Sequence, residues 1–284
     1  MFRRGARVRP LRPGGAEAAL ALALRDPAVN ALGGARLREL SRSASVAHEF
    51  SVIGEDAAPS ALLWHGVNLS PLGGDAAALA ELGRHMVGRA RRASSVVGER
   101  RAVEALWHEL APAWGDEVRQ HRWSQPLLLA ADAGELPALP GAGLLRPALP
   151  GEEGAVFPAA VAMFREEVGI DPLSGDGGRS YRARVTELIR QGRTYVVMQD
   201  GLVLFKADVG ALFGPVAQIH GVWVRPEHRG RGLARAAMTD LVRQVRRDHA
   251  SQVSLYVNDF NEPARRAYAA AGFRQIGELT TLLF

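Results

Sequence analysis

Residues 220–238 read HGVWVRPEHRGRGLARAAM, and their types and spacing suit the binding of an anion. An apolar, strand-like run ends at Arg225 and Pro226. Arg229 and Arg231 then alternate with Gly230 and Gly232, and an alanine-rich helical pattern follows at once. The first N–H groups of a helix have no partner within it, and the aligned peptide dipoles make that end positive. Glycine lets the backbone curl close to an anion placed there, and the guanidinium fork matches phosphate oxygens. The segment therefore reads as a phosphate or pyrophosphate loop opening a helix over 232–248. A nucleoside-triphosphate loop needs Gly-Lys-Ser/Thr, which is missing. A dinucleotide fingerprint needs a third glycine where Arg235 stands, so both are excluded.

The segment does match R-x-x-G-x-A, as Arg229, Gly230, Arg231, Gly232, Leu233 and Ala234. Downstream, LYVNDFNEPARRAYAAAGF carries Asn261, Ala264, Tyr268, Gly272 and Phe273 in order. The two motifs together resemble the GNAT superfamily of acyl-CoA-dependent N-acyltransferases, over residues 142–284. The whole chain is similar to tandem actinobacterial GNAT proteins with a degenerate first domain. The resemblance implies an α/β (α+β) chain of two GNAT-like domains, each a mixed, mostly antiparallel twisted sheet flanked by helices. It also implies an enzyme that moves an acetyl group from acetyl-CoA to a primary amine by direct attack on the thioester.

Carried onto this sequence, the resemblance gives each residue a role. Val222, Trp223 and Val224 would pair with pantetheine where their strand splays from its neighbour at a bulge. The Val224 N–H would polarise the thioester carbonyl. Arg229 to Ala234 would hold the pyrophosphate, Asn261 would hydrogen-bond acetyl-CoA, and Tyr268 would protonate the departing thiolate. Against that role, Tyr268 also suits a packed ring on an amphipathic helix, and Phe273 reads as core. The family's strand glutamate falls at Gln218, which cannot accept a proton. His220 is the candidate base, with an ordinary pKa near 6.5. A structural role for it is equally open, because His65 recurs in the first half. Asp208, Glu167 or ordered water are further options. A longer-acyl or aminoacyl transferase and a non-catalytic acyl-CoA sensor are the alternatives to acetyl transfer.

Positioning these residues takes strands at TYVVMQ, LVLFKADV and AQIHGVWV, a helix over 232–248, strand VSLYV, helix EPARRAYAAAG and a closing apolar segment. A helix through AAVAMFREEVG precedes them. A Pro- and Gly-rich stretch over 130–154 marks a linker, with a boundary near residue 140 and domains at 1–140 and 141–284. The first half shows strand-like HEFSVIG, SALLWHGVNL, SSVV and QPLLLA, with helices over 73–92 and 99–110. HGVNLSP at 65–71 echoes HGVWVRP at 220–226, which points to a duplicated domain. That alignment sets Gly74 against Arg229 and Ala77 against Gly232. Asp75 then caps the helix where an anion would sit, so the first domain is expected not to bind acyl-CoA.

Composition bounds the rest. Of 35 Lys and Arg residues, Lys206 is the only lysine, and the net charge is +5. Basic and acidic residues intermingle, which argues against nucleic acid as a partner. The absence of cysteine removes disulfides, thiolate metal sites and a thiol nucleophile, and no metal is expected. The apolar run near the N-terminus carries Glu17 and reads as an amphipathic helix, not a signal peptide. A cytoplasmic chain acting on a small-molecule or peptide amine, without membrane attachment, is the expectation; the sequence leaves its oligomeric state open.

Overall fold

The computed structural model describes residues 8–132, 134, 136 and 144–284. The chain forms two compact units: 1–127 with 256–260 and 275–284, and 128–255 with 261–274. The leading segment of the first unit ends at Leu127, and the boundary expected near residue 140 lies outside the described residues. In addition, the last ten residues belong with the first unit.

The first unit begins with β1 (Arg9–Pro10), followed in the chain by α1 (Ala16–Ala23) and α2 (Ala31–Arg38). Strands β2 (Phe50–Glu55), β3 (Ala58–His65), β4 (Leu69–Gly73) and β5 (Ser95–Glu99) are followed in the sheet by the chain's last strand and then by β6 (Gln120–Ala130). Helix α3 (Ala76–Val87) joins β4 to β5, and α4 (Arg100–Trp114) follows β5. The last strand, β12 (Phe273–Leu283), runs antiparallel to β5, with Leu279 opposite Glu99 and Leu283 opposite Ser95. Its apolar residues explain the placement. Leu282 is fully buried beside Val96, Val103 and Leu106, and the Phe284 ring meets Trp107 and Trp114 at 6.3 and 6.0 Å.

The apolar run SALLWHGVNL is not one strand. It turns at 66–68, so that Trp64 faces Ser70 and His65 faces Leu69 across β3 and β4. HGVNLSP therefore straddles a turn, whereas HGVWVRP lies mostly along a single strand. The order helix, strand, helix, strand after each segment holds, but the residue-by-residue alignment of the echo does not. Only Gly74 and Asp75 join β4 to α3, and the Asp75 carboxylate accepts from the Ala78 N–H at 2.8 Å.

The second unit has a mixed sheet in the order β11 (Gln252–Tyr256), β10 (Val216–Val224), β9 (Leu202–Phe213), β8 (Thr194–Gln199) and β7 (Arg146–Pro147). All neighbours are antiparallel except β10 and β11. Helices α5 (Glu153–Val168) and α6 (Arg179–Arg190) bury Val156, Ala160, Val185 and Ile189 with Val196 and Trp223. Helix α6 is not among the elements expected from sequence, although its buried Val185, Leu188 and Ile189 stand at helical spacing. Helix α7 (Leu233–Asp248) buries Ala237, Met238, Leu241, Val242 and Val245 along one face, and α8 (Glu262–Ala270) buries Tyr268. Among the described residues, no helix is long and apolar enough to cross a membrane.

Candidate functional site

The site begins at an irregularity in β10. Across β9, His220 faces Asp208 and Trp223 faces Lys206, so the four positions 220–223 oppose three. The extra residue makes a bulge, and Gly221 takes it up at φ +59°. The parallel register with β11 ends just before this point, at Ile219 opposite Leu255. Beyond the bulge, the Arg225 N–H donates to Leu204 O at 2.8 Å, toward β9. Successive strand N–H groups point to opposite edges, so the Val224 and Val222 N–H groups turn to the edge where the β11 register has ended. Trp223 differs from both. Its backbone faces β9, and its ring is 5% exposed in the core under α5 and α6.

The loop 225–232 leads from this open edge into α7. Gly230 (φ +73°) and Gly232 (φ +81°) are both left-handed, and a Cβ at either would meet nothing within 4 Å. Gly232 is the N-cap residue and supplies no side-chain cap, so the first N–H groups of α7 have no side-chain acceptor from it. The first helical bond that returns to this residue runs from Ala236 N to Gly232 O. Arg229 is held at the loop's edge. Its Nε donates to Val224 O at 3.0 Å and its Nη2 donates to Glu166 Oε2 at 2.7 Å. Glu166 Oε1 also accepts from Trp223 Nε1 at 3.2 Å, so this carboxylate ties α5 to both strand and loop. Arg231 is exposed, and Leu233 and Ala234 form the first turn.

Asn261 is the N-cap of α8, its Oδ1 accepting from Ala264 N at 3.2 Å. That bond uses the oxygen, and the NH2 of this exposed residue keeps its capacity to donate. Tyr268 is 7% exposed, with its ring 6.0 Å from Phe273. Burial, helped by the charge of Glu167, pushes its phenol well above the ordinary value, so it keeps its proton at neutral pH. His220 Nε2 lies 3.0 Å from Gln218 Oε1. Burial first, then the charge of Arg184, lowers His220 to about 4 despite the opposing influence of Asp208. The imidazole is therefore neutral at pH 7.

Sequence reasoning missed a cluster beneath the bulge. Lys206 is 1% exposed and its Nζ is ion-paired with Asp208 Oδ2, while Thr194 Oγ1 donates to Asp208 Oδ1 at 2.8 Å. The signal was present: the only lysine in the chain stands two residues before an aspartate on an otherwise apolar strand. Glu166 and Asp208 are each already paired with a cation, Arg229 and Lys206 respectively. Among the described residues, no group of three or more His, Asp or Glu side chains is placed to hold a metal ion.

Comparison with known proteins adds three findings. Residues 174–273 match the acetyltransferase (GNAT) family, and residues 49–149 match a domain of unknown function, DUF4081. A mycothiol acetyltransferase from Thermobispora bispora is 40% identical over 60 residues, 21% of this chain and 20% of that protein. The chain thus matches about a fifth of that relative's length. Among solved structures, a GCN5-related N-acetyltransferase from Sphaerobacter thermophilus aligns over 100% of this chain and 97% of its own, at TM-score 0.63 and 17% identity. A tandem GNAT protein from the clavulanic acid biosynthesis pathway aligns over 98% of each chain at TM-score 0.53 and 16% identity. At such identities the likeness to these two structures is one of fold.

Proposed function

Starting from the GNAT acetyltransferase domain that residues 174–273 form, we propose that the chain is an acetyl-CoA-dependent N-acetyltransferase acting on a primary amine. One observation carries the reading: the edge of β10 opens at the Gly221 bulge and leads through the loop 225–232 to the N-terminus of α7, where Gly232 supplies no side-chain cap. An extended pantetheine chain fits such an edge because Val222 and Val224 offer it strand-like hydrogen bonds. The loop 229–234 fits a pyrophosphate, since a Cβ at Gly230 or Gly232 would meet open space just ahead of the first N–H groups of α7. The donor NH2 of Asn261 would hold the cofactor arm.

In this mechanism the substrate thioester supplies the acetyl group, and the chain's residues do the rest. The Val224 N–H stabilises charge developing on the carbonyl oxygen as the amine attacks. Tyr268 donates its proton to the sulfur as the C–S bond breaks. His220, neutral at pH 7, takes the proton lost by the amine, directly or through water. Its low basicity makes this the slower proton transfer and favours acceptors whose amines are already largely unprotonated. Asp75 occupies the equivalent helix start in the first unit, so that unit holds no cofactor. The mycothiol acetyltransferase match supports acetyl as the group moved. A cytoplasmic location completes the reading.

Calorimetry with acetyl-CoA and a screen of amines for free-thiol release test it. One molecule bound per chain and release with some amines are expected. No binding at millimolar ligand would overturn the proposal. Binding without release from any amine would turn it toward a sensor, and two molecules per chain would overturn the assignment of the first unit.

A further inference from the structure

The buried Lys206–Asp208 pair has no part in the roles assigned above, yet it lies against the site. Charged side chains are almost never fully buried unless paired, and an apolar pair of the same volume is commonly as stable or more so. Stability alone therefore does not explain it. Arginine serves at every other basic position of this chain, so the compact ammonium at 206 answers a local demand.

That demand is visible in the register. Lys206 faces Trp223 and Asp208 faces His220, so the pair flanks the bulge on its short side. A Cβ added to Gly221 would stand 3.6 Å from Lys206 Nζ, 3.4 Å from Asp208 Oδ2 and 2.9 Å from Met163 Cε. The pair and Met163 thus close around the one residue whose left-handed backbone makes the bulge. Thr194 holds the second carboxylate oxygen, which fixes the orientation of Asp208. An extra residue in a strand can migrate along it when only apolar side chains define the register. Both partners lie on β9 and Thr194 on β8, so the pair makes a rigid surface facing Gly221, and a side chain shifted into that place would meet Met163 Cε at 2.9 Å. The register-fixing role is the best-attested use of buried polar groups.

We propose that Lys206 and Asp208 are positioning residues for acyl transfer, pinning the β10 bulge at Gly221 and so fixing the direction of the Val224 N–H on the opposite edge. The inference rests on the acyl-transfer reading, since that reading gives the Val224 N–H its role.

The test replaces both charges together, as Lys206→Met with Asp208→Leu, because Lys206→Met alone leaves a buried carboxylate unpaired and threatens folding. Four quantities are read: the thermal midpoint, the acetyl-CoA dissociation constant, thiol release at saturating acetyl-CoA and amine, and the shift of the Val224 amide resonance on adding acetyl-CoA. The double variant should fold with a midpoint near that of the wild type. It should lose on the order of tenfold or more in turnover, as expected for a misplaced reacting group, and less in acetyl-CoA affinity, since the phosphate loop is untouched while the Val224 contact shifts. The Val224 shift seen in the wild type should shrink with it. A folded double variant that keeps wild-type turnover and the Val224 shift overturns the inference and leaves the acyl-transfer reading standing. A wild type whose Val224 amide does not respond to acetyl-CoA overturns both. Should the double variant fail to fold, Thr194→Val removes only the hydroxyl donor to Asp208; unchanged turnover there also overturns the inference.

Discussion

Replacing Tyr268 by Phe removes one oxygen from the buried face of α8 and asks whether that oxygen carries a proton to the reaction. The ring is 7% exposed and packs on Phe273, and the substitution keeps its volume, so the fold should lose less than about 1.5 kcal/mol. Burial and the nearby Glu167 hold the phenol above its ordinary range, so essentially every molecule presents a proton at pH 7. A positioned general acid contributes about 10²–10⁴ in rate, which is roughly 3–5 kcal/mol of barrier. Free-thiol release at saturating acetyl-CoA and amine should therefore fall by about two to four orders of magnitude. The acetyl-CoA dissociation constant from calorimetry should hardly move, because the phosphate loop and the β10 edge are intact. The raised phenol also predicts that wild-type turnover persists as pH rises toward about 10, the ordinary tyrosine value. A Phe variant that turns over within threefold of the wild type would refute the assignment, and Tyr268 would then be a packed core ring.

Other consequences follow from the same geometry. His220 is held near 4 in the folded chain against about 6.5 when unfolded. The unfolded state binds the proton more readily, so this group's contribution is fully present above about pH 6.5 and is lost as pH falls toward 4. The effect is at most about 3 kcal/mol. Denaturant titrations at pH 7 and pH 4.5 should show a smaller pH dependence for His220→Gln than for the wild type, and equal dependence would dismiss the claim. Gly232→Ala forces a side chain into φ +81° at the start of α7, costing about 1–2 kcal/mol. It should lower the thermal midpoint and weaken acetyl-CoA binding; unchanged affinity would remove Gly232 from the cradle. Asp75→Ala removes the cap on Ala78, costing about 1 kcal/mol of stability. Calorimetry should still find one molecule of acetyl-CoA per chain, and a second site gained or a first site lost would contradict the division of labour between the units.

The amino-acid sequence by itself determined the glycine-arginine turn, the strand that enters it and the helix that leaves it. It also marked Asn261 and Tyr268 as a second motif on one helix. These features depend on neighbours in the chain: glycine's backbone freedom at 230 and 232, the uncapped start of α7, and the helical period that turns Tyr268 inward. Asp75 was readable as a cap for the same reason. Tertiary structure alone decided matters that depend on which distant segments meet. It set Glu166 of α5 on Arg229 and Trp223, and Thr194 of β8 on Asp208. The same pairing buried Lys206 beneath the bulge and committed residues 275–284 to the first unit. The echo between HGVNLSP and HGVWVRP shows the limit most plainly. Identical letters sit on a turn in one unit and in a strand in the other, because pairing partners, rather than local preference, set where a strand ends.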